Sequence, residues 1–397
     1  MASKYLMDNS FTASSRKQDM VSSSRDLCHK ASICHLGKAC ISQATSSPGR
    51  VRIRQKLSHL ICLVSQMKAL NFKAAGDSEL FTCLLSHLHG FGFSLHKAVK
   101  IRNNIFYIEL NGRRRFILKG FPKEKKLLLQ ARLTALLKDK GFLKTYSINM
   151  DLPPFEIGGR YYAFIEYLMP HPNPFFFSEK SERKEGLQLL EQFHLASSQL
   201  TRELQDDLAT FDQAGKWAER SRQFQKNLTI VRTYVSDSVL EQWQRWADWS
   251  LEGLIKNKNW LSCEENAIIH GDVAHHNFLR KNTGELFLID FDLISIAPPL
   301  IDYLQYANRI LPYIQEPDKI WEYPQLERYK RNPAFLFALA YPADIFREWN
   351  RVAKENLEAG QPHLHTVWKM TVEQFNKRMQ FNRYVERLIM SGYLNPQ

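Results

Sequence analysis

Apolar and polar positions begin to alternate informatively near residue 78, and the period of the pattern changes near residue 174. "ELFTCLLSHLHGFGF" has the spacing of a short helix that stops at Gly90. "KAVKIRNNIFYIEL" and "RRRFILKGF" are β-branched and aromatic runs with turn signals at Asn103-Asn104 and Asn111-Gly112. They predict a meander of about three strands ending at Lys119. "KEKKLLLQARLTALLKDKGF" returns to helical spacing and is stopped by Gly141. "PPFEIGGRYYAFIEYLMPHPNP" reads as a hairpin around Gly158-Gly159 whose second strand runs into a proline-rich break. Strands, a helix and more strands predict a small α+β lobe over residues 78–168.

From Pro174 the period is helical. "SERKEGLQLLEQFHLASSQL" is amphipathic and opens at Ser181, and residues 213–257 predict one or two long helices. Trp243, Trp246 and Trp249 fall at three-residue spacing and read as core or as a seam between helices. Helical spacing dominates again from about residue 300. The region 169–397 is thus a larger helical lobe holding one strand-rich island, "AIIHGDVAHHNFLRKNTGELFLIDFD", at residues 267–292.

Residues 1–66 lack this periodicity. "SFTASSRKQDMVSSSRD" is serine-rich, and the stretch reads as a disordered tail or a non-native extension, with Met67 a plausible start for a compact fold. Charge separates the two parts further. Of the net +13, residues 1–70 carry +8, eleven Lys/Arg against three Asp, and the remainder carries +5. Five of the six cysteines lie in the first 83 residues, which is no secreted disulfide framework and fits a reducing, cytoplasmic interior. The gaps in "CHKASICHLGKAC" (Cys28, His29, Cys34, His35, Cys40) do not suit a structural zinc site, so these read as incidental. No apolar run approaches the ~18 residues that span a bilayer, and the N-terminus lacks the apolar core of a secretory signal, so no membrane partner is expected. The basic tail lacks interleaved aromatics, which argues against nucleic acid.

The chemistry concentrates in the island. Ala267 to Ile269 is an apolar strand feeding the loop His270-Gly271-Asp272, and "GELFLIDFD" is a second strand with Asp290 at its end. Two acids at neighbouring strand ends repel unless a cation lies between them. A carboxylate with the amide oxygen of Asn277 suits Mg²⁺, which prefers oxygen ligands. A loop Asp, an Asn five residues on and a second Asp after a strand follow the catalytic-loop and metal-loop logic of phosphoryl transfer. A binuclear-metal phosphoesterase would need D-x-H and G-N-H elements that the chain lacks. His275 and His276 read as neighbours of the functional loop rather than metal ligands.

With "HGDVAHHNFL" and "LIDFDLISIAPPLIDYL", the chain resembles the aminoglycoside phosphotransferase and choline kinase group of the protein-kinase-like fold, over about residues 78–390. Within it the chain looks closest to the CotS-like, spore-coat-associated branch of endospore-forming bacteria. The resemblance implies a bilobal α+β fold with a small β-rich N-lobe and a helical C-lobe, and it implies ATP and Mg²⁺ as cofactors. Carried over, Asp272 would be the catalytic base, Asn277 and Asp290 the Mg²⁺ ligands, and Lys119 the lysine on the ATP phosphates. Glu166-Tyr167-Leu168 would be the hinge reading adenine through its backbone. His270 would orient the catalytic loop, and Asp302 would support the C-lobe behind it. From the residues alone, Asp302 reads equally as a helix N-cap after Pro298-Pro299. No G-x-G-x-x-G precedes Lys119, and its helix-borne acidic partner stays unnamed between Glu124, only five residues on, and the better-placed Gln130. Two functions remain: a phosphotransferase acting on a small-molecule or protein hydroxyl, or a kinase-shaped structural component that no longer turns over. The first would act in spore coat formation, the second as a coat component, and either would have spore-coat proteins as partners and the spore coat as a location beside the cytoplasm. The acceptor and the oligomeric state are not legible.

Overall fold

A computed structural model of the chain describes residues 78–262, 264–355 and 362–394. The serine-rich tail, Met67 and the Cys28–Cys40 group lie outside the described residues. In chain order the first elements are α1 (Ser78–Gly90), β1 (Leu95–Arg102), β2 (Ile105–Leu110), β3 (Arg115–Phe121), α2 (Glu124–Asp139), β4 (Ile148–Asn149), β5 (Phe155–Ile157) and β6 (Arg160–Glu166). There follow α3 (Lys180–Ser198), α4 (Gln213–Val231), α5 (Asp237–Lys256), β7 (Ala267–Ile269), β8 (Phe278–Arg280), β9 (Leu286–Leu288) and β10 (Ser295–Ala297). The last long elements are α6 (Leu300–Ile310), α7 (Pro333–Ala340), α8 (Ala343–Glu355) and α9 (Phe375–Leu394).

The described residues form two compact units, 78–118 with 155–158, and 119–154 with 159–394. In the first, β1 and β2 pair antiparallel, Leu95 opposite Leu110 and Arg102 opposite Ile105. The Asn103-Asn104 turn closes the hairpin, with Asn104 at φ 59°, a left-handed conformation that asparagine tolerates better than most residues. Alternate β2 residues Phe106, Ile108 and Leu110 are buried, and Phe81 of α1 meets Phe106 edge-on at 5.4 Å. The predicted helix of α1 and the first two strands are therefore observed.

The second unit holds the rest of the chain. Near its start β4 pairs with β6, and α2 packs on β6. The two-residue strand β4, pairing Ile148 with Ile165, is too short to leave a periodic signal. β3 also runs two residues past Lys119, to Phe121. The helical region has two helices where residues 213–257 predicted one or two. Trp243 and Trp246 are buried in α5, and Trp249 packs on Phe337 of α7 at 4.7 Å, so the tryptophan stripe is core. Close approach explains Gly253 on the same helix, since a Cβ there would stand 2.0 Å from the Phe337 ring. α4 lies against α8 through Phe224 stacked on Phe346 at 4.0 Å and Asn227 bonded to Asn350 at 2.9 Å. No helix among the described residues is long and apolar enough to cross a membrane.

β7 and β9, the strands that precede the two acids, do not pair with each other. β7 pairs antiparallel with β10, Ile269 opposite Ser295, and β9 pairs with β8, Leu288 opposite Phe278. β8, between them in the chain, and β10, after β9, are three residues each, too short for periodicity to show them. What brings β7 and β9 near one another is α3, which packs on both.

Candidate active site

β7 is buried along its whole length and delivers the chain into His270-Gly271-Asp272. Gly271 has φ 77°, and a Cβ there would meet the Leu293 carbonyl oxygen at 2.3 Å, so the loop requires glycine on both counts. The loop is clamped from behind by Asp302, whose carboxylate is fully buried. It accepts hydrogen bonds from the backbone N–H groups of His270 at 2.7 Å and Gly271 at 2.9 Å, and from His194 Nε2 at 2.9 Å. Burial pushes the Asp302 carboxyl up, but the His194 bond and charge, His270 and the Gly271 N–H outweigh it and hold the carboxyl below its usual range. Asp302 is in the first turn of α6 and makes no capping bond, so the N-cap reading gives way to a brace on the loop.

His270 links this brace to the second acid. Its Nε2 lies 3.0 Å from the Ile289 carbonyl, which can only accept, and its Nδ1 accepts the Asp272 N–H at 3.3 Å. The carbonyl partner places a proton on Nε2. Asn277 is buried, and its amide nitrogen donates to the Asp272 carbonyl at 2.8 Å, which fixes the orientation of the amide. Its own carbonyl accepts from Ile289 N at 2.9 Å, bringing Asn277 beside the residue before Asp290. Asp290 follows with φ 70°, a left-handed conformation that is rare outside glycine and asparagine and recurs where function constrains the backbone. Phe291 anchors this turn, fully buried against Phe193 at 5.7 Å and His270 at 5.3 Å.

Lys119 arrives at this turn from β3. Its Nζ donates to Asp290 Oδ1 at 2.8 Å and to Asp292 Oδ1 at 2.7 Å. Gln130 of α2 donates to the same Asp292 oxygen at 2.7 Å and accepts from the Tyr146 hydroxyl at 3.1 Å. Burial, then the charges of Asp290 and Asp292, push the Tyr146 hydroxyl far up, so it stays protonated as a donor. The partner question left open by the sequence has this answer: the helix position holds an amide, Gln130, and the carboxylate comes from Asp292. Glu124 makes no such pair among the described residues.

At the end of β6, Glu166 accepts from Ser147 N at 3.0 Å, and its backbone N–H bonds the Ser147 carbonyl at 2.9 Å. Leu168 is buried two residues on. His275 stacks on Phe176 at 4.9 Å, and burial, His276 and Arg309 hold its pKa down. The structure thus brings His270, Asp272, Asn277, Asp290 and Lys119 into one hydrogen-bonded group, with Glu166 and Leu168 on β6 and its exit.

Sequence reasoning missed three contributors. Asp292 was signalled by the repeated acid in "IDFD". His194 stood on the apolar face of "EQFHLA", where a lone histidine needs a buried partner. Arg309, 3.6 Å from Asp272, gave no signal, because a cation at the end of a helix is common.

A model of the phosphotransferase enzyme family matches residues 98–329, more than half of the chain. Among solved structures, the chain is similar to an aminoglycoside phosphotransferase from Alicyclobacillus acidocaldarius subsp. acidocaldarius DSM 446, with 19% identity, 75% of this chain and 93% of that chain covered, and a TM-score of 0.56. It is similar to the GDP complex of a mutant aminoglycoside 2'-phosphotransferase-IIIa, at 14% identity, 76% and 99% coverage and a TM-score of 0.50. A choline kinase, LicA from Streptococcus pneumoniae, aligns at 13% identity, 75% and 99% coverage and a TM-score of 0.42. No curated protein sequence matches the chain. The α+β, protein-kinase-like fold expected from the sequence, sheet-rich toward the N-terminus and helical beyond it, is the fold observed.

Proposed function

The chain belongs to the phosphotransferase enzyme family, of the aminoglycoside phosphotransferase and choline kinase-like kind, and from that premise we propose that it transfers the γ-phosphoryl group of ATP to a hydroxyl of a small molecule or protein. The observation that carries this reading is the meeting of Lys119 and Asp290, 171 residues apart in sequence, beside a loop that also holds Asp272 and Asn277. Phosphoryl transfer asks for positioned charge more than covalent chemistry, and this group supplies it.

Lys119 would contact the α- and β-phosphates, and the backbone of Glu166-Tyr167-Leu168 would read adenine. Asn277 and Asp290 fit Mg²⁺ by their chemistry, an amide and a carboxylate oxygen on segments joined by the Ile289–Asn277 backbone bond, a partial set of the kind that nucleotide phosphates complete. The ion, when bound, neutralises charge on the phosphate oxygens. Asp272 would accept the acceptor hydroxyl's proton as the new O–P bond forms. The bond from the γ-phosphorus to the β,γ-bridging oxygen breaks, and ADP keeps that oxygen. Residues 78–168 and 169–397 would act as the two working lobes, and His270 would hold Asp272 in place.

The finer reading is the CotS-like branch and a role in spore coat formation, supported by "LIDFDLISIAPPLIDYL". One observation favours the rival, a coat component without turnover: α2 brings an amide, Gln130, to Asp292 and sends no carboxylate to Lys119 among the described residues. Against it, Asp292 supplies the missing charge at 2.7 Å. The two separate in one assay. With γ-labelled ATP, Mg²⁺ and a panel of amino sugars, amino alcohols, sugar acids and peptides, an enzyme transfers label to at least one acceptor and loses transfer in EDTA. A chain that binds Mg²⁺-ATP but transfers nothing and forms no ADP is the structural component.

A further inference from the structure

Arg309, at the end of α6, brings its Nη2 to 3.6 Å from Asp272 Oδ1, and both side chains are about one third exposed, at 33% and 35%. Other cations gather there. Lys216 and Arg220 lie one turn apart on α4 and so share a face of the helix. Neither is ion-paired among the described residues: Lys216 lies over the Phe211 ring at 4.7 Å, and Arg220 donates to the Ala343 carbonyl at 3.0 Å. Arg347 of α8 pairs only with its chain neighbour Glu348, at 2.8 Å, and Arg378 of α9 pairs with Asp344 at 2.6 Å. Among the described residues, these five cations interact with three carboxylates, Asp272, Asp344 and Glu348. The packing of α4 on α8 through Phe224 and Phe346 holds Lys216, Arg220 and Arg347 on adjoining helices.

Such a cluster repels itself. Burial first, then Arg220 and Arg347, hold the Lys216 ammonium below its usual range, with only Asp272 opposing them. Burial and Arg347 do the same to Arg220 and Arg309, against the pull of the nearby carboxylates. Like charges held together beside a reactive acid are the arrangement that a bound anion relieves.

We infer that the phosphoryl acceptor is an anionic small molecule whose phosphate or carboxylate group sits among Lys216, Arg220, Arg309 and Arg347, presenting its hydroxyl to Asp272. This inference rests on the phosphotransferase reading and names the substrate class for that same site. Guanidinium forks match both oxyanions in geometry, and a phosphate or carboxylate so held would leave the transferred group close to balancing charge. A cationic amine acceptor would meet repulsion at every one of these side chains.

Four sugars of one ring size test it: glucose 6-phosphate, glucuronate, glucose and glucosamine, each titrated by thermal shift and calorimetry at constant ionic strength, with and without nucleotide. At least one anionic sugar should bind about tenfold or more tightly than glucose, with glucosamine weakest. Whichever of the two anionic sugars it is tells phosphate from carboxylate. In a Lys216→Gln, Arg220→Gln double variant that preference should fall about tenfold, while the shift from Mg²⁺-ATP persists. Glucose or glucosamine binding as well as the anionic sugars, no sugar binding at all, or an anion preference retained in the double variant would each overturn the inference. A lost Mg²⁺-ATP shift in the unaltered chain would instead defeat the phosphotransferase reading, and the two failures are read on separate titrations.

Discussion

An Asp272→Asn variant is expected to transfer phosphate about 10²–10⁴-fold more slowly than the unaltered chain while binding Mg²⁺-ATP with little change. Asparagine keeps the shape of the side chain and cannot accept the proton of the attacking hydroxyl. The loop should persist, because it is held through main-chain groups: Asp302 grips the N–H of His270 and Gly271, and His270 accepts the N–H of residue 272. The cost therefore falls on kcat, and single-turnover label transfer beside a Mg²⁺-ATP titration separates the two. Transfer at the unaltered rate would refute Asp272 as the base. Loss of nucleotide binding would show that the residue acts through the phosphates instead.

Asp302→Ala should produce the largest loss of stability. It strips a partner from two buried backbone N–H groups and from His194 at once. His194 Nδ1 already lacks a partner, so after the change its ring would be buried with none from either nitrogen. Breaking one side of a buried charged pair costs about 3–5 kcal/mol, which for a chain of this size lowers the melting temperature by roughly 6–10 °C. Asp302→Asn keeps one acceptor oxygen and should lose less. The pH dependence has a definite sign. Because the folded carboxyl sits below its usual value, its contribution is fully present above about pH 4 and disappears as pH falls through the lower folded value. The gap between the unaltered chain and Asp302→Ala should thus stay flat through neutral pH, so far as Asp302 titrates, and narrow only in acid. A loss under about 1 kcal/mol would mean the brace is dispensable.

Long periodic elements were legible in the sequence because burial of one face writes a period: α2, α3, α5 and the β1–β2 hairpin are all where the pattern puts them. The pairing of β7 with β10 and of β8 with β9 was not, since three-residue strands have no period and their partners are set by tertiary packing on α3. The site divides along the same line. Asp272, Asn277 and Asp290 announce themselves through local spacing around glycine and apolar runs. The partner of Lys119 could not be read, because helix position alone pointed to Gln130 and the carboxylate came from Asp292, 173 residues away in the chain. Asp302 was ambiguous for a related reason: an acid just after Pro-Pro caps helices often, and only the fold turns its carboxylate onto another loop. The cations around Asp272 lie on four separate helices, α4, α6, α8 and α9, so no window of sequence contains them.

The most direct test of the account is the melting temperature of the unaltered chain and of Lys119→Ala with Mg²⁺-ATP, ATP with EDTA, and Mg²⁺ alone. At 100-fold excess over Kd, Mg²⁺-ATP should add about 2.7 kcal/mol to the unaltered chain, a rise of roughly 5 °C. Most of that rise should vanish in EDTA and in Lys119→Ala. A chain whose melting temperature does not respond to Mg²⁺-ATP, or that responds equally without Lys119, would contradict a nucleotide site built from Lys119, Asn277 and Asp290.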